Sequence, residues 1–113
     1  MNKELRMKVY EKYDGHCSYC GKEIEYKNMQ VDHIKPHRLN PNRDDFENLN
    51  PSCRRCNHYK GHLSLKEFRE IWLGGLHARL AKQYTVKVAL DYGIVELKPF
   101  HGRFYFEEVG GTE

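Results

Sequence analysis

Four cysteines occur in two pairs, and in each pair two residues separate the thiols. This spacing lets both cysteines of a pair reach the same metal ion. Two such pairs supply four sulfur ligands, the usual composition of a closed tetrahedral structural zinc site. We therefore predict that one zinc ion is bound by Cys17, Cys20, Cys53 and Cys56. A disulfide framework is the less favoured alternative, since the paired spacing suits zinc better.

An aspartate and a histidine, Asp32 and His33, stand next to each other between the two cysteine pairs. A zinc ion would tie the pairs together and hold the intervening segment as a loop with fixed ends. Cationic residues cluster around the acid–histidine pair and the second cysteine pair: Lys35, Arg38, Arg43, Arg54, Arg55 and Lys60. Such a cluster is often a solvated face, but beside reactive residues it favours contact with a phosphate backbone.

The 113 residues carry a formal net charge of +3. This length favours one domain, 1–113, in which zinc supplies part of the stability. The apolar runs are too short for a transmembrane helix, and the first residues are charged rather than typical of a signal peptide. We therefore expect a soluble, cytoplasmic protein with no membrane partner. The small net charge does not by itself require a nucleic-acid partner.

The elements around these residues follow from periodicity and turn chemistry. Apolar residues recurring every four positions predict a helix over residues 3–13, and Met29–Ile34 reads as a short strand carrying His33 near its end. Residues 36–47 form a predicted irregular loop. A short helix is predicted from Arg54 to about Tyr59, ended by Gly61.

The C-terminal half is predicted to be helical and then extended. A capping box at Ser64–Glu67 predicts a helix from Leu65, ended or interrupted at Gly74-Gly75. Residues 84–93 fit both a strand and a helix, and we favour the helix, capped by Gly93. Ile94–Leu97 and Arg103–Glu107 are predicted to form a β-hairpin. The fold class is therefore α+β.

Residues 15–61 resemble the HNH nuclease family in its four-cysteine form. The resemblance is carried by Cys17, Cys20, Asp32, His33, Asn48, Cys53, Cys56, Asn57 and Lys60. It implies a small ββα-metal core at 15–61 with a four-cysteine structural zinc, and flanking helices and the C-terminal hairpin as support at 62–113. It also implies metal-dependent hydrolysis of DNA that leaves 5′-phosphate and 3′-hydroxyl ends. Standalone members of this family are often bacterial or phage proteins.

The chemistry of each residue agrees with the role that the resemblance implies. Asp32 and Asn57 offer hard oxygen ligands to a catalytic divalent ion, Mg²⁺ or Mn²⁺. An imidazole is mostly neutral at cellular pH, so His33 suits the general base that activates water. By the resemblance, Asn48 braces the loop and orients His33.

One position departs from many family members, which carry a histidine directly after the fourth cysteine. This chain has Asn57 there and His58 next, so His58 is the substitute if Asn57 is not the ligand. The predicted contacts to the nucleic-acid backbone are Lys35, His37, Arg38, Arg54, Arg55 and Lys60.

Two other functions remain open at this point. A zinc module that binds nucleic acid or protein without cutting would need the cysteines but not Asp32 and His33. A nuclease acting on RNA would use the same motif, which does not separate the two polymers. No long recognition helix stands out, so weak sequence specificity is expected.

Overall fold

The computed structural model describes residues 1–36 and 44–110. The chain divides into two compact units: unit 1 comprises Met1–Leu65 and Phe104–Glu113, and unit 2 comprises Lys66–Arg103. The division into a core at 15–61 and a support region at 62–113 stays a prediction. Among the described residues, no helix is both long enough and apolar enough to cross a lipid bilayer.

Unit 1 begins with helix α1, Lys3–Glu11. The Oδ1 atom of Asn2 accepts a hydrogen bond from the Leu5 amide at 2.7 Å and so caps the helix start. The chain turns away at Asp14-Gly15, where both residues have positive φ, 53° and 77°. The helix predicted over residues 3–13 is confirmed.

A two-stranded antiparallel sheet follows, made of β1, Gln30–His33, and β2, Leu49–Ser52. The register pairs Asp32 with Asn50 and His33 with Leu49. Helix α2, Arg54–Lys60, comes directly after β2 and ends at Gly61, whose φ is 53°. The β–β–α order implied by the family resemblance is therefore present, and the predicted strand and helix are confirmed.

The core of unit 1 lies where α1, the sheet and the chain at Phe104 meet. Its buried apolar side chains are Val9, Cys17, Tyr19, Ile24, Met29, Leu49, Cys53 and Phe104. Two of the four cysteines thus belong to the core itself. Because few large apolar residues are buried here, metal binding would add substantially to stability.

The predicted C-terminal β-hairpin is wrong. Ile94–Leu97 has irregular backbone, and Tyr105–Gly110 forms helix α5. The Oε1 atom of Glu107 accepts a hydrogen bond from the Phe104 amide at 2.9 Å, which favours a helix start at that point. The amides of Tyr105 and Phe106 bond to the carbonyls of Tyr19 and Ser18, so they are not available to a partner strand.

Unit 2 is helical. It contains a π-helix at Glu67–Leu73, α3 at Leu76–Leu80 and α4 at Tyr84–Asp91. The helix predicted from Leu65 is confirmed, although the sequence did not indicate its π-helical geometry. The helix favoured over residues 84–93 is also confirmed: Gly93 has a φ of 72°, and the Ile94 amide bonds to the Ala89 carbonyl at 2.8 Å, a Schellman arrangement.

Candidate functional site

A cleft of about 480 Å³ in unit 1 contains the residues predicted to do chemistry. Asp32 and His33 reach it from the end of β1, and Asn57 reaches it from α2. The remaining lining residues are Val31, Pro36, His58, Gly61 and His62. The structure therefore brings both alternatives for the second ligand, Asn57 and His58, to the same cavity as the acid–histidine pair.

The end of β1 explains how two neighbouring residues serve one cleft. Successive side chains of a strand point to opposite faces, which would separate Asp32 from His33. His33 is the last residue of β1, so the alternation stops there and both side chains line the cavity. Asp32 is 4% exposed, whereas the side chain of His33 is 34% exposed. The acid is thus fixed within the fold, and the histidine is open to water.

The imidazole of His33 has a partner that the sequence did not reveal. Its Nε2 lies 3.1 Å from Oδ1 of Asp44, a mostly exposed residue. An ionised carboxylate only accepts hydrogen bonds, so this contact favours the tautomer with the proton on Nε2. The sequence marks Asp44 only as a turn former, and no spacing rule links it to His33.

Asp32 is buried in a polar network. The Tyr19 hydroxyl donates a hydrogen bond to Oδ2 of Asp32, and the Lys60 ammonium lies 3.1 Å from Oδ2 and 3.3 Å from Oδ1. Burial raises the pKa of Asp32, while the charge of Lys60 and the hydrogen bond from Tyr19 oppose that rise. The carboxylate is therefore held by partners on two different elements.

Lys60 does not have the surface position predicted for it. Its side chain is fully buried, and its Nζ also donates to the His33 carbonyl at 2.9 Å. A charge removed from water in this way needs a partner, and Asp32 provides it. The prediction that Lys60 contacts a nucleic-acid backbone is corrected: its role in this structure is to neutralise Asp32.

Asn48 braces the backbone that follows His33. Its Oδ1 accepts from the Lys35 amide at 2.8 Å, and its Nδ2 donates to the Lys35 carbonyl at 3.2 Å. Its own carbonyl accepts from the Ile34 amide at 2.9 Å. These bonds hold the chain directly after His33, whereas Asp44 contacts the imidazole ring itself. A catalytic role for Asn48 stays a prediction.

The other described residues predicted to contact a nucleic-acid backbone differ from Lys60 in their exposure. Lys35 and Arg55 are exposed. Arg54 is exposed too, but it lines a second cleft of unit 1, of about 530 Å³, together with Lys22 and Lys27. His37 and Arg38 lie outside the described residues. Their contacts to a nucleic acid stay predictions.

The four cysteines converge at one point. The sulfur atoms of Cys17, Cys20, Cys53 and Cys56 all lie within 4.8 Å of one another. A tetrahedral zinc site with Zn–S bonds of about 2.3 Å separates its sulfurs by about 3.8 Å. The Sγ atoms of Cys20 and Cys53 are 3.9 Å apart, which matches this spacing and is too far for a disulfide. All four thiols are free, and the cluster is suited to bind zinc.

The electrostatics of the cluster also favour a cation. A hydrogen bond from Cys56 lowers the pKa of Cys17 to about 4, and backbone amides reinforce the effect. The same interaction raises the pKa of Cys56, and burial raises the pKa of Cys20. Four thiolates this close would repel one another, so full ionisation requires a bound positive ion.

The first knuckle, Cys17–Gly21, depends on its glycine. Gly21 has a φ of 84°, and a Cβ atom there would lie 2.7 Å from the Tyr105 ring. The turn is closed by the Gly21 amide, which donates to the Cys17 carbonyl at 2.9 Å. Only glycine satisfies both the backbone angle and the close approach.

The cleft also has suitable donors for a hard divalent ion. A carboxylate offers about four acceptor positions, and the contacts from Tyr19 and Lys60 to Asp32 use three of them. Acceptor capacity remains on Oδ1, and the Asn57 side chain lines the same cavity. Oxygen donors of this kind, beside space for water, fit Mg²⁺ or Mn²⁺.

Residues 17–63 match the HNH endonuclease family model. The family resemblance is thereby confirmed for this segment, which we call the HNH segment. A curated relative, the CRISPR-associated endonuclease Cas9 of Corynebacterium diphtheriae, is 36% identical over 56 residues, which cover 50% of this chain and 5% of that protein. These similarities support a nuclease function.

A solved structure agrees with this result. The Type II-C Cas9 enzyme from Actinomyces naeslundii aligns with a TM-score of 0.52 and 27% identity. The alignment covers 67% of this chain and 9% of that chain. The likeness therefore concerns a small part of each Cas9 protein.

Proposed function

We propose that this chain is a metal-dependent endonuclease that hydrolyses DNA phosphodiester bonds and leaves 5′-phosphate and 3′-hydroxyl ends. The observation that carries the proposal is that Asp32, His33 and Asn57 line one cleft within the HNH segment. A phosphodiester resists hydrolysis because its negative charge repels nucleophiles. A catalyst must therefore activate water and offset charge, and the cleft holds groups for both tasks.

His33 is the general base in this proposal. Its Nε2 faces Asp44, so the lone pair of Nδ1 is left to take a proton from water. The water oxygen forms a bond to phosphorus, the bond between phosphorus and the 3′ oxygen breaks, and the 3′ oxygen gains a proton from solvent. The imidazolium formed on His33 is stabilised by the Asp44 carboxylate, as in other acid–histidine pairs.

A divalent ion held by Asp32 and Asn57 would supply charge stabilisation for the phosphate and the departing oxygen. The charge of Lys60 opposes the rise in the pKa of Asp32 that burial causes, and so favours the carboxylate form that can act as a ligand. The exposed side chains of Lys35 and Arg55 are proposed to contact DNA phosphates. The free thiols fit a reducing compartment, and we propose that the protein acts in the cytoplasm.

The experiment is cleavage of supercoiled plasmid by the zinc-loaded protein, with and without Mg²⁺ or Mn²⁺. We expect nicked or linear product from the wild type only when a divalent ion is present. The variant His33→Ala should retain zinc and lose about 10²–10⁴-fold in rate, the usual contribution of a general base. His101→Ala is the matched control, because His101 is exposed and lies outside the HNH segment.

The ends of the product test the chemistry. Nicks that DNA ligase seals without further treatment carry a 5′-phosphate and a 3′-hydroxyl, whereas 3′-phosphate ends would contradict the mechanism. A structured RNA incubated in parallel shows whether the protein cleaves DNA, RNA or both. Binding of DNA without turnover, in the wild type and under every divalent ion, would favour the non-catalytic zinc module.

A further inference from the structure

Tyr19 connects the cysteine cluster to the catalytic cleft. It lies between Cys17 and Cys20 in the first knuckle, and its hydroxyl donates a hydrogen bond to Oδ2 of Asp32. Asp32 is an acceptor there because an ionised carboxylate has no proton to give. One side chain thus joins the turn that presents two zinc ligands to the acid that lines the cleft.

The position of Tyr19 is fixed from several directions. Its ring packs edge-on against Phe104 at 5.2 Å and against Phe106 at 6.0 Å between centroids. Its carbonyl accepts from the Tyr105 amide at 3.1 Å, and its side chain is part of the buried core. A buried aromatic ring held in this way has little rotamer freedom, so its hydroxyl is a rigid donor.

The neighbouring backbone is also tied to the sheet. The Ser18 amide donates to the Pro51 carbonyl at 2.9 Å, and Pro51 pairs with Val31 across β1 and β2. Displacement of the first knuckle would therefore move both the strand next to Asp32 and the hydroxyl that contacts Asp32. The contact between the knuckle and the acid is direct and needs no intermediate residue.

We propose that Tyr19 is a positioning residue that orients the Asp32 carboxylate for the divalent ion and so makes metal binding in the cleft depend on an intact cysteine cluster. This inference rests on the proposed function, because it assumes that Asp32 is a ligand. Residues that orient a metal ligand through a hydrogen bond typically change metal affinity about 10–100-fold when they are removed.

The test is Tyr19→Phe, which removes the hydroxyl and keeps the ring. Mn²⁺ binding to the zinc-loaded, DNA-free protein is measured by calorimetry and by the electron paramagnetic resonance of free Mn²⁺. We expect the dissociation constant for Mn²⁺ to rise at least about tenfold. In plasmid cleavage, the Mn²⁺ concentration for half-maximal rate should rise by the same factor, and the rate at saturating Mn²⁺ should recover to within about twofold of the wild type, since the base is untouched.

Tyr10→Phe is the matched control. The Tyr10 hydroxyl donates to the Ile24 carbonyl at 2.8 Å, so this variant also loses one hydroxyl hydrogen bond of unit 1 but none to Asp32. Its Mn²⁺ affinity should equal that of the wild type. Equal Mn²⁺ affinities for Tyr19→Phe and the wild type would overturn the proposal. Loss of zinc or of cooperative melting in Tyr19→Phe would also overturn it, because the hydroxyl would then serve folding.

Failure of the proposed function is recognised separately. If Asp32→Asn binds Mn²⁺ as tightly as the wild type, Asp32 is not a ligand and both ideas fail. If Asp32→Asn loses binding while Tyr19→Phe does not, only the positioning role fails. Measuring zinc content on the same samples separates loss of the structural ion from loss of the catalytic one.

Discussion

Replacement of Lys60 by methionine tests the buried ion pair most directly. Methionine is unbranched and of similar length, so it fills the same space without a charge. The change removes the ammonium that lies 3.1 Å from Asp32 and that also donates to the His33 carbonyl. Asp32, which is 4% exposed, is then left as a buried carboxylate whose remaining partner is neutral.

The burial of the Asp32–Lys60 ion pair determines how much stability Lys60→Met should lose. Breaking a buried ion pair by removing one partner costs about 3–5 kcal/mol, because the other charge stays buried and uncompensated. For a domain of about this length, 1 kcal/mol corresponds to roughly 4 °C in melting temperature. We therefore expect Lys60→Met to melt about 12–20 °C below the wild type near neutral pH.

The effect should depend on pH with a definite sign. Burial already raises the pKa of folded Asp32, and loss of the Lys60 charge removes the main influence that opposes the rise. A group whose folded pKa exceeds its unfolded value favours the folded state below the unfolded pKa, and this advantage is lost as the pH rises through the folded pKa. The loss of folding stability in Lys60→Met, relative to the wild type, should therefore be largest at neutral pH and smaller near pH 5.

The assay is thermal melting followed by circular dichroism at pH 7.5 and pH 5, with zinc in excess throughout. Lys35→Met is the matched control, because Lys35 is exposed. This variant should melt within about 2 °C of the wild type. The double variant Asp32→Asn with Lys60→Met removes both charges and should recover at least half of the lost stability. A melting temperature for Lys60→Met within about 3 °C of the wild type, or a double variant less stable than Lys60→Met, would refute the reasoning.

Two further predictions concern the metal cluster and the base. Cys53→Ser should lose zinc, measured by atomic absorption, and should lose cooperative melting, because zinc sites of this type contribute about 10–16 kcal/mol to folding. Retained zinc at one ion per chain would contradict the four-sulfur assignment. Asp44→Ala should keep zinc and stability but lower the single-turnover cleavage rate about tenfold, less than the about 10²–10⁴-fold expected for loss of the base itself. An unchanged rate would mean that the contact of Asp44 with Nε2 of His33 does not serve catalysis.

Much of the HNH segment was predictable because its signals are local. The cysteine spacing is a property of two short turns, and the structure places all four sulfur atoms together as expected. The short strand with His33 at its end and the helix after Cys53 were likewise set by turn formers and capping residues. The predicted C-terminal hairpin was wrong because the three consecutive aromatic residues Phe104, Tyr105 and Phe106 also suit a helix start, where Phe104 and Phe106 pack against Tyr19.

Two contacts at the cleft could not be predicted from the sequence, since they join segments far apart along the chain. Asp44 contacts His33 from outside the sheet, and the side chain of Tyr19 contacts Asp32 from the first knuckle. Lys60 was expected on the surface because lysine is seldom buried, and only the packed fold shows that Asp32 compensates its charge.

By itself, the sequence indicated the four cysteines of the cluster, the acid–histidine pair, the first strand and the helix after Cys53, because residue type, spacing and local backbone preference carry that information. The second strand was expected only from the family resemblance. The tertiary structure decided which charges are buried, which partner faces Nε2 of His33 and how the cysteine cluster contacts the cleft. Burial and long-range hydrogen bonds arise only when distant segments pack together, so these properties belong to the fold rather than to any one motif.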